Sequence, residues 1–395
     1  MPERPKIAAL VTVYRKHSHA QHFVDRFLDG YGWESTHHVP PMDLVSLYVD
    51  QIGADDLSKE RAARHPGLRL CKTISEALTL GTGKLAVDGV VVIAEHGDYP
   101  KTEMGQVKYP RYEFFQKTVE VFRSSGRSVP VFNDKHLSWN WKWAKEMYDT
   151  SRTMGFPLMA GSSLPLTWRT PSIDLPFGAK LQEAVTLCYG NIDGYDIHGL
   201  EAMQAMVERR TGGETGVKWL QAWRGADFWA ALRDGAWSRK LMEAAMYRSH
   251  TLASGREGFA GVPPTPEQLR KMVPDPIAYC YEHNDGLKST LLLMNGLVAD
   301  CNFAAQVEGL SISTQMYLPM PPDRTSLANF FSPQVNHIER MVLTGQAAIP
   351  LERTLLTTGL TAAGVESLFR SQSVMDTPHL NIVYQAPVES TYWRT

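Results

Sequence analysis

Two short apolar runs in the first third of the chain, Gly89–Ala94 and Val129–Phe132, each end in side chains that can move protons. Glu95, His96 and Asp98 follow the first run; Asp134, Lys135 and His136 follow the second. Histidine is the usual general base near neutral pH, and a flanking carboxylate orients it. Lysine can polarise a substrate hydroxyl or steer a proton if burial or cationic neighbours lower its pKa. The plainer alternatives are a structural ion pair of Lys135 with Asp134 or Glu95, and loop hydrogen bonding for His96. A third cluster, Asp193, His198 and Glu201, opens a helical pattern, and its spacing of three puts His198 and Glu201 on one helix face. A histidine with two carboxylates suffices for acid–base work. It also suffices for a divalent metal such as Mn, Fe or Zn, with His96, Asp193, His198 and Glu201 as the candidate ligands.

These clusters need elements that carry them to one place. Apolar runs at Lys6–Val13, Asp43–Val49, Gly89–Ala94, Val129–Phe132 and Pro157–Gly161 alternate with helical patterns at Ser18–Leu28, Leu57–His65, Ile74–Leu80, Tyr112–Ser124 and Ser138–Thr153. That alternation predicts an α/β domain over residues 1–160, a doubly wound Rossmann-like parallel sheet whose ligands bind beyond the carboxyl ends of the strands. Residues 161–395 read as α+β. Strands at Glu183–Tyr189, Gly216–Trp223, Ile277–His283, Leu287–Leu293, Asp300–Gln306 and Ser313–Leu318 imply a mostly antiparallel open sheet with helices on one face. Asn284-Asp285-Gly286 is a hairpin signal between two of them. Gly255–Pro276 reads as a surface connection. Ser326–Thr344 and Leu351–Ser371 close the chain as helices, and the last of them is expected to pack back on the first domain. The exposed sheet face between Ile277 and Leu318 is a natural subunit contact. At the crossing between domains, Ser162, Trp168 and Arg169 could line a sugar or carboxylate pocket with His136, although Trp168 could equally wedge the domain interface.

The 395 residues are 43% hydrophobic and 21% charged with a net charge of −2, which gives no reason to expect nucleic acid or an acidic membrane as partner. No stretch approaches the roughly 20 apolar residues of a membrane span. The four cysteines are scattered, so they are expected to be reduced, in a cytoplasmic protein. His17, His19 and His22 are closely spaced but lack the carboxylate or cysteine that would complete a metal shell.

The layout and several short segments resemble the Gfo/Idh/MocA-like oxidoreductases, of the glucose–fructose oxidoreductase and inositol dehydrogenase type. VFNDKHLS stands where that family has Glu-Lys-Pro, which puts Lys135 on its catalytic-site lysine. YGNIDGYDIHGLE resembles its Asp-x-x-x-His segment, which puts His198 on the catalytic histidine and leaves the Asp displaced to Asp193 or Asp196. VDGVVVIAEHGDYP resembles the strand and loop over the nicotinamide, with His96 and Glu95. The resemblance implies NAD or NADP as cofactor, a sugar, inositol or other polyol as substrate, and a homodimer or homotetramer. Thr12, Tyr14, Arg15 and Asp50 would then line the cofactor, with Asp50 placed to accept from a ribose hydroxyl. One departure is large. Leu10–His19 contains no glycine where the family has Gly-x-Gly-x-x-His/Gly, so close backbone approach to a pyrophosphate is obstructed, while Arg15 and Lys16 could offer charge instead. That departure motivates a second reading, a metal-dependent lyase, hydratase, isomerase or hydrolase on the same scaffold.

Overall fold

The computed structural model describes residues 3–252 and 264–394. In chain order its first part contains β1 (Lys6–Val11), α1 (His19–Asp29), a small hairpin of β2 (Tyr31–Trp33) and β3 (Thr36–His38), β4 (Asp43–Val49), α2 (Ser58–Arg64), β5 (Arg69–Cys71), α3 (Ile74–Thr79), β6 (Gly89–Ile93), α4 (Arg111–Ser125), β7 (Val131–Asp134), α5 (Trp141–Met154) and β8 (Leu158–Gly161). Six strands form a parallel sheet in the order β5-β4-β1-β6-β7-β8. The expected elements are all present; the β2–β3 hairpin and, within this sheet, β5 (Arg69–Cys71) were not anticipated. Strand β5 is three residues long, lies at the sheet edge and is mostly exposed, so it carries no apolar signature.

Central strand β6 is buried along its whole length, as a parallel strand covered on both faces must be. One face packs on α3, α4 and α5 through Val90, Val92, Phe115, Phe122 and Met147. The other packs through Ile7, Val91 and Phe132 on Phe23 and Phe27 of α1, and on a helix from the far end of the chain.

The second part contains β9 (Arg169–Thr170), β10 (Leu181–Cys188), α6 (Asp196–Val207), β11 (Val217–Arg224), α7 (Ala226–Arg233), α8 (Arg239–Met246), α9 (Pro266–Met272), β12 (Ile277–His283), β13 (Lys288–Leu293), β14 (Cys301–Val307), β15 (Leu310–Met316), α10 (Ser332–Thr344), α11 (Leu351–Phe369) and β16 (Met375–Asp376). Its sheet runs β16-β11-β12-β13-β10-β14-β15-β9, antiparallel except where β10 pairs with β13. Helix α10 packs on the first sheet through Val335, Ile338 and Met341. Helix α11 also reaches both parts, packing on α6 and β11 and on α5 and β8.

Two expectations fail here. The sheet face expected to be open is covered by this chain: Val185, Leu187, Ala278, Leu292 and Ala304 pack on Phe228 and Trp229 of α7, Leu241, Met242 and Met246 of α8 and Leu269 of α9. Alternate side chains of the same strands, among them Ala184, Leu291, Leu293 and Phe303, face the α6 and α11 side. The connection from Gly255 contributes α9, capped by Thr265 with Gln268 in a capping box; its first residues, to 263, lie outside the described residues. The cysteines are the second failure. Antiparallel pairing of β10 with β14 sets Leu187 opposite Asn302. The next residues, Cys188 and Cys301, therefore face each other with Cα atoms 4.3 Å apart, and they are joined by a disulfide. A separation of 113 residues hid that pairing. Cys71 and Cys280 are free and buried, as expected. Among the described residues no helix is long and apolar enough to cross a membrane.

Candidate active site

The carboxyl ends of β6 and β7 and the segment leading into α6 converge on a cavity of about 340 Å³, within the range of small-ligand sites. Glu95, His96, Lys135, Asp193 and His198 line it together, and His17, His19 and His22 complete one wall with Phe331. Four wall residues, His17, His96, Lys135 and Asp193, hold left-handed backbone with φ of 63, 69, 61 and 65°. Side chains rarely adopt that conformation, and it gathers at functional sites because the surroundings over-determine it.

Lys135 is buried, and its Nζ donates to Glu95 Oε1 at 2.9 Å and to the Gly194 carbonyl at 3.0 Å. The other oxygen of Glu95 accepts from the fully buried Arg111. Burial opposes ionisation of Glu95, but Lys135 and Arg111 outweigh it and hold the carboxyl well below the usual range. Burial likewise works against the Lys135 ammonium, and Glu95 and Asp134 overturn it, so its pKa rises. The expected condition for a basic lysine, a lowered pKa, is therefore not met. Lys135 is a fixed cation, suited to stabilising a developing oxyanion.

His198 takes the opposite state. Burial, followed by Lys135 and His19, lowers its pKa far below the usual value, so the ring is neutral. Its Nδ1 lies 2.5 Å from Ser162 Oγ, which fixes the ring orientation and leaves Nε2 for proton transfer. Ser162 thus acts on His198 and is not itself part of the cavity wall. His96 is also kept neutral, its pKa brought down to about 4 by burial and then His19, with Nε2 buried and unpartnered. Asp193 accepts from the Val107 amide at 2.8 Å, and burial raises its pKa.

Asp196, three residues on, lies below the cavity and accepts from Asp193 N–H, Ile197 N–H and Tyr279 O–H. Burial pushes its carboxyl from 3.8 to about 7. The folded state therefore holds this proton more tightly than the unfolded chain does. The stability contributed by the neutral carboxyl is present below about pH 3.8 and is lost as pH rises through about 7. Isotope-edited infrared spectra of the native protein should show a protonated carboxyl still titrating near neutrality; complete ionisation by pH 5 would contradict this environment.

Several expected site residues do other work. Trp168 packs edge-on against Tyr317 and close to Trp393, at the junction rather than in the cavity. Arg169 is buried on Asp174 and stacked 4.0 Å from the Tyr392 ring centroid, and it does not line the cavity. His136 lies behind the cavity with Nε2 3.2 Å from Arg111 Nη1, which with burial keeps it neutral. Glu201 points away, bonded to Thr357 Oγ1 at 2.7 Å. Among the described residues no group of three or more His, Cys, Asp or Glu could hold a metal, so the metal-dependent alternative loses its ligand set. Sequence spacing missed Arg111, which lies at the start of α4 and shows no sign of its role.

The turn after β1 decides how a dinucleotide would fit. Thr12 and Tyr14 are buried and bonded within the protein, Thr12 Oγ1 to the Glu95 carbonyl and the Tyr14 hydroxyl to Asp25. Ser18 caps α1, accepting from the amides of Arg15 and Gln21, both at 3.2 Å, and the His17 amide donates to Gln21 Oε1 at 2.6 Å. Amides that a glycine turn would offer to a pyrophosphate are thus taken by Ser18 and Gln21. Asp50 accepts from the Tyr48 and Tyr99 hydroxyls at 2.7 and 2.6 Å, where a ribose hydroxyl was expected. This turn does not fit a pyrophosphate in the way the glycine-rich turn does. An opening of about 510 Å³ lies beside it, in which Arg15 faces Asp55, Asp56 and Asp98.

No family model matches the chain, and no curated protein sequence does. Solved structures match over nearly its whole length. The myo-inositol dehydrogenase of Lactobacillus casei, in complex with NAD(H) and myo-inositol, aligns with a TM-score of 0.57 at 12% identity over 95% of this chain and 97% of its own. GenD2 from gentamicin A biosynthesis, in complex with NAD, aligns at 0.56 and 13% over 95% and 97%. A Gfo/Idh/MocA family oxidoreductase of Vibrio cholerae aligns at 0.51 and 12% over 93% and 99%. The chain has the Gfo/Idh/MocA fold. In that fold the cavity lies between the first sheet and the second, on the side to which the strand ends of the first point.

Proposed function

We propose that the cavity is the active site of an oxidoreductase acting on a small polyhydroxylated molecule, a sugar, an inositol or a related polyol. The observation that carries this reading is the convergence of a charged Lys135, just after β7 of the first sheet, and a neutral His198, on α6 against the second sheet, on one cavity. Lys135 donates to the oxygen of the reacting carbinol and stabilises charge developing there, and His198 takes the hydroxyl proton at Nε2. His96 and Asp193 orient the neighbouring hydroxyls. A nicotinamide, when bound, supplies the acceptor for hydride; the likeness to proteins crystallised with NAD supports it.

The glycine-free turn favours a second reading. The same residues then run proton transfer alone, as an isomerase or dehydratase without a dinucleotide. Equilibrium dialysis separates the two. The oxidoreductase reading expects NAD(H) or NADP(H) to be retained at millimolar concentration, and Arg15→Glu to weaken that retention; no retention of either cofactor abandons it.

A further inference from the structure

We propose that His19, held by Asp134, is a catalytic base of this cavity. By spacing alone His17, His19 and His22 look like a partial metal set; the fold gives His19 a different partner. His19 is the first residue of α1 and Asp134 the last of β7, 115 residues apart, and His19 Nδ1 lies 2.7 Å from Asp134 Oδ2. Asp134 is buried. A carboxylate only accepts, so Nδ1 carries the proton, and Nε2 presents its lone pair to the cavity that His19 lines. The ring meets Phe331 edge-on at 5.0 Å between centroids, and stands 5.4 Å from His96 and 6.4 Å from His198. A buried carboxylate that sets the tautomer and direction of a histidine is how a base is prepared for proton abstraction. Because β6 lies between β1 and β7, this dyad also bridges the crevice at the strand ends.

The proposal rests on reading the cavity as a site for a polyol or its ketone. A C–H beside the ketone gives its proton to His19 Nε2. The C–H electron pair becomes the enolate double bond, and the carbonyl π pair moves onto oxygen, where the Lys135 ammonium balances its charge. Return of a proton from His19 restores the ketone, so no oxidant or reductant is consumed. Asp134 is a positioning residue in this scheme.

The test uses the full chain with 2-keto-myo-inositol in D₂O, following exchange of the hydrogens next to the carbonyl by NMR and binding by calorimetry. The wild-type protein is expected to accelerate exchange, and His19→Gln to lower that rate by about 10²–10⁴-fold with binding retained. Asp134→Asn is expected to lower the maximal rate with KM little changed. Added imidazole should restore part of the rate to His19→Ala, which a purely structural histidine would not allow. Exchange that survives His19→Gln, or binding without exchange in the wild type, overturns the dyad and leaves the cavity reading standing. Neither binding nor exchange overturns both.

Discussion

Replacing Lys135 with methionine is expected to lower turnover by about 10²–10³-fold, the usual cost of removing one donor from a developing oxyanion. The methionine stem fills much of the space, and Glu95 keeps Arg111 as its counter-ion, so the buried carboxylate is not orphaned. Loss of stability should therefore fall below the about 3–5 kcal/mol typical of breaking a buried pair outright. Lys135→Arg should not rescue activity, because a planar guanidinium is bulkier than the compact ammonium that is buried between Glu95 Oε1 and the Gly194 carbonyl. Initial rates with myo-inositol and NAD, and exchange rates with its 2-keto form, measure the effect. A Lys135→Met protein within threefold of wild type in both assays would remove this residue from the chemistry.

The largest effect on stability is expected at Arg353→Met. Arg353 on α11 is buried and grips both oxygens of Glu208 beyond the end of α6, one of them at 2.9 Å, and Glu208 also accepts from the buried Tyr384 hydroxyl at 2.7 Å. Removing the guanidinium strands a carboxylate with one neutral donor, at a cost of about 3–5 kcal/mol. Denaturant unfolding of Arg353→Met, Glu208→Gln and the double variant forms a cycle. The double variant should recover part of the loss, since a neutral amide tolerates burial better than an unpaired charge. A single-variant loss under about 1 kcal/mol would mean the charge is solvated by a route the fold does not offer. Because neither residue lines the cavity, activity per folded molecule should be unchanged.

Much of the first sheet was legible because buried parallel strands are short apolar runs with helices between them; Asp43–Val49 was read to the residue, as was Ile277–His283 of the second sheet. That Lys135, His96, Asp193 and His198 would meet at one cavity was legible for a related reason: they are ionisable residues at strand ends and at a helix start. What could not be read was pairing across distance. His19 with Asp134, Arg111 with Glu95 and Cys188 with Cys301 are each set by the stacking of whole elements, and no local spacing encodes them. Protonation states were hidden likewise. The ion pair of Lys135 with Glu95 was foreseen as one alternative, but not the raised pKa that it gives the ammonium. Trp168 and Arg169 misled because chemically versatile side chains at a junction are as useful for packing as for binding. The helix within the connection after Gly255 was masked by the Gly and Pro around it.

The helices on the outer face of the second sheet change what concentration means for this protein. A sheet with one bare apolar face reaches its full stability only when another molecule covers it, and its unfolding midpoint then moves with protein concentration. Here Phe228, Trp229, Leu241, Met242 and Leu269 supply that cover from within the same chain. Closing that face is a first-order event, complete as soon as the chain has folded on itself. A cell making only a few copies would still hold each with that face sealed.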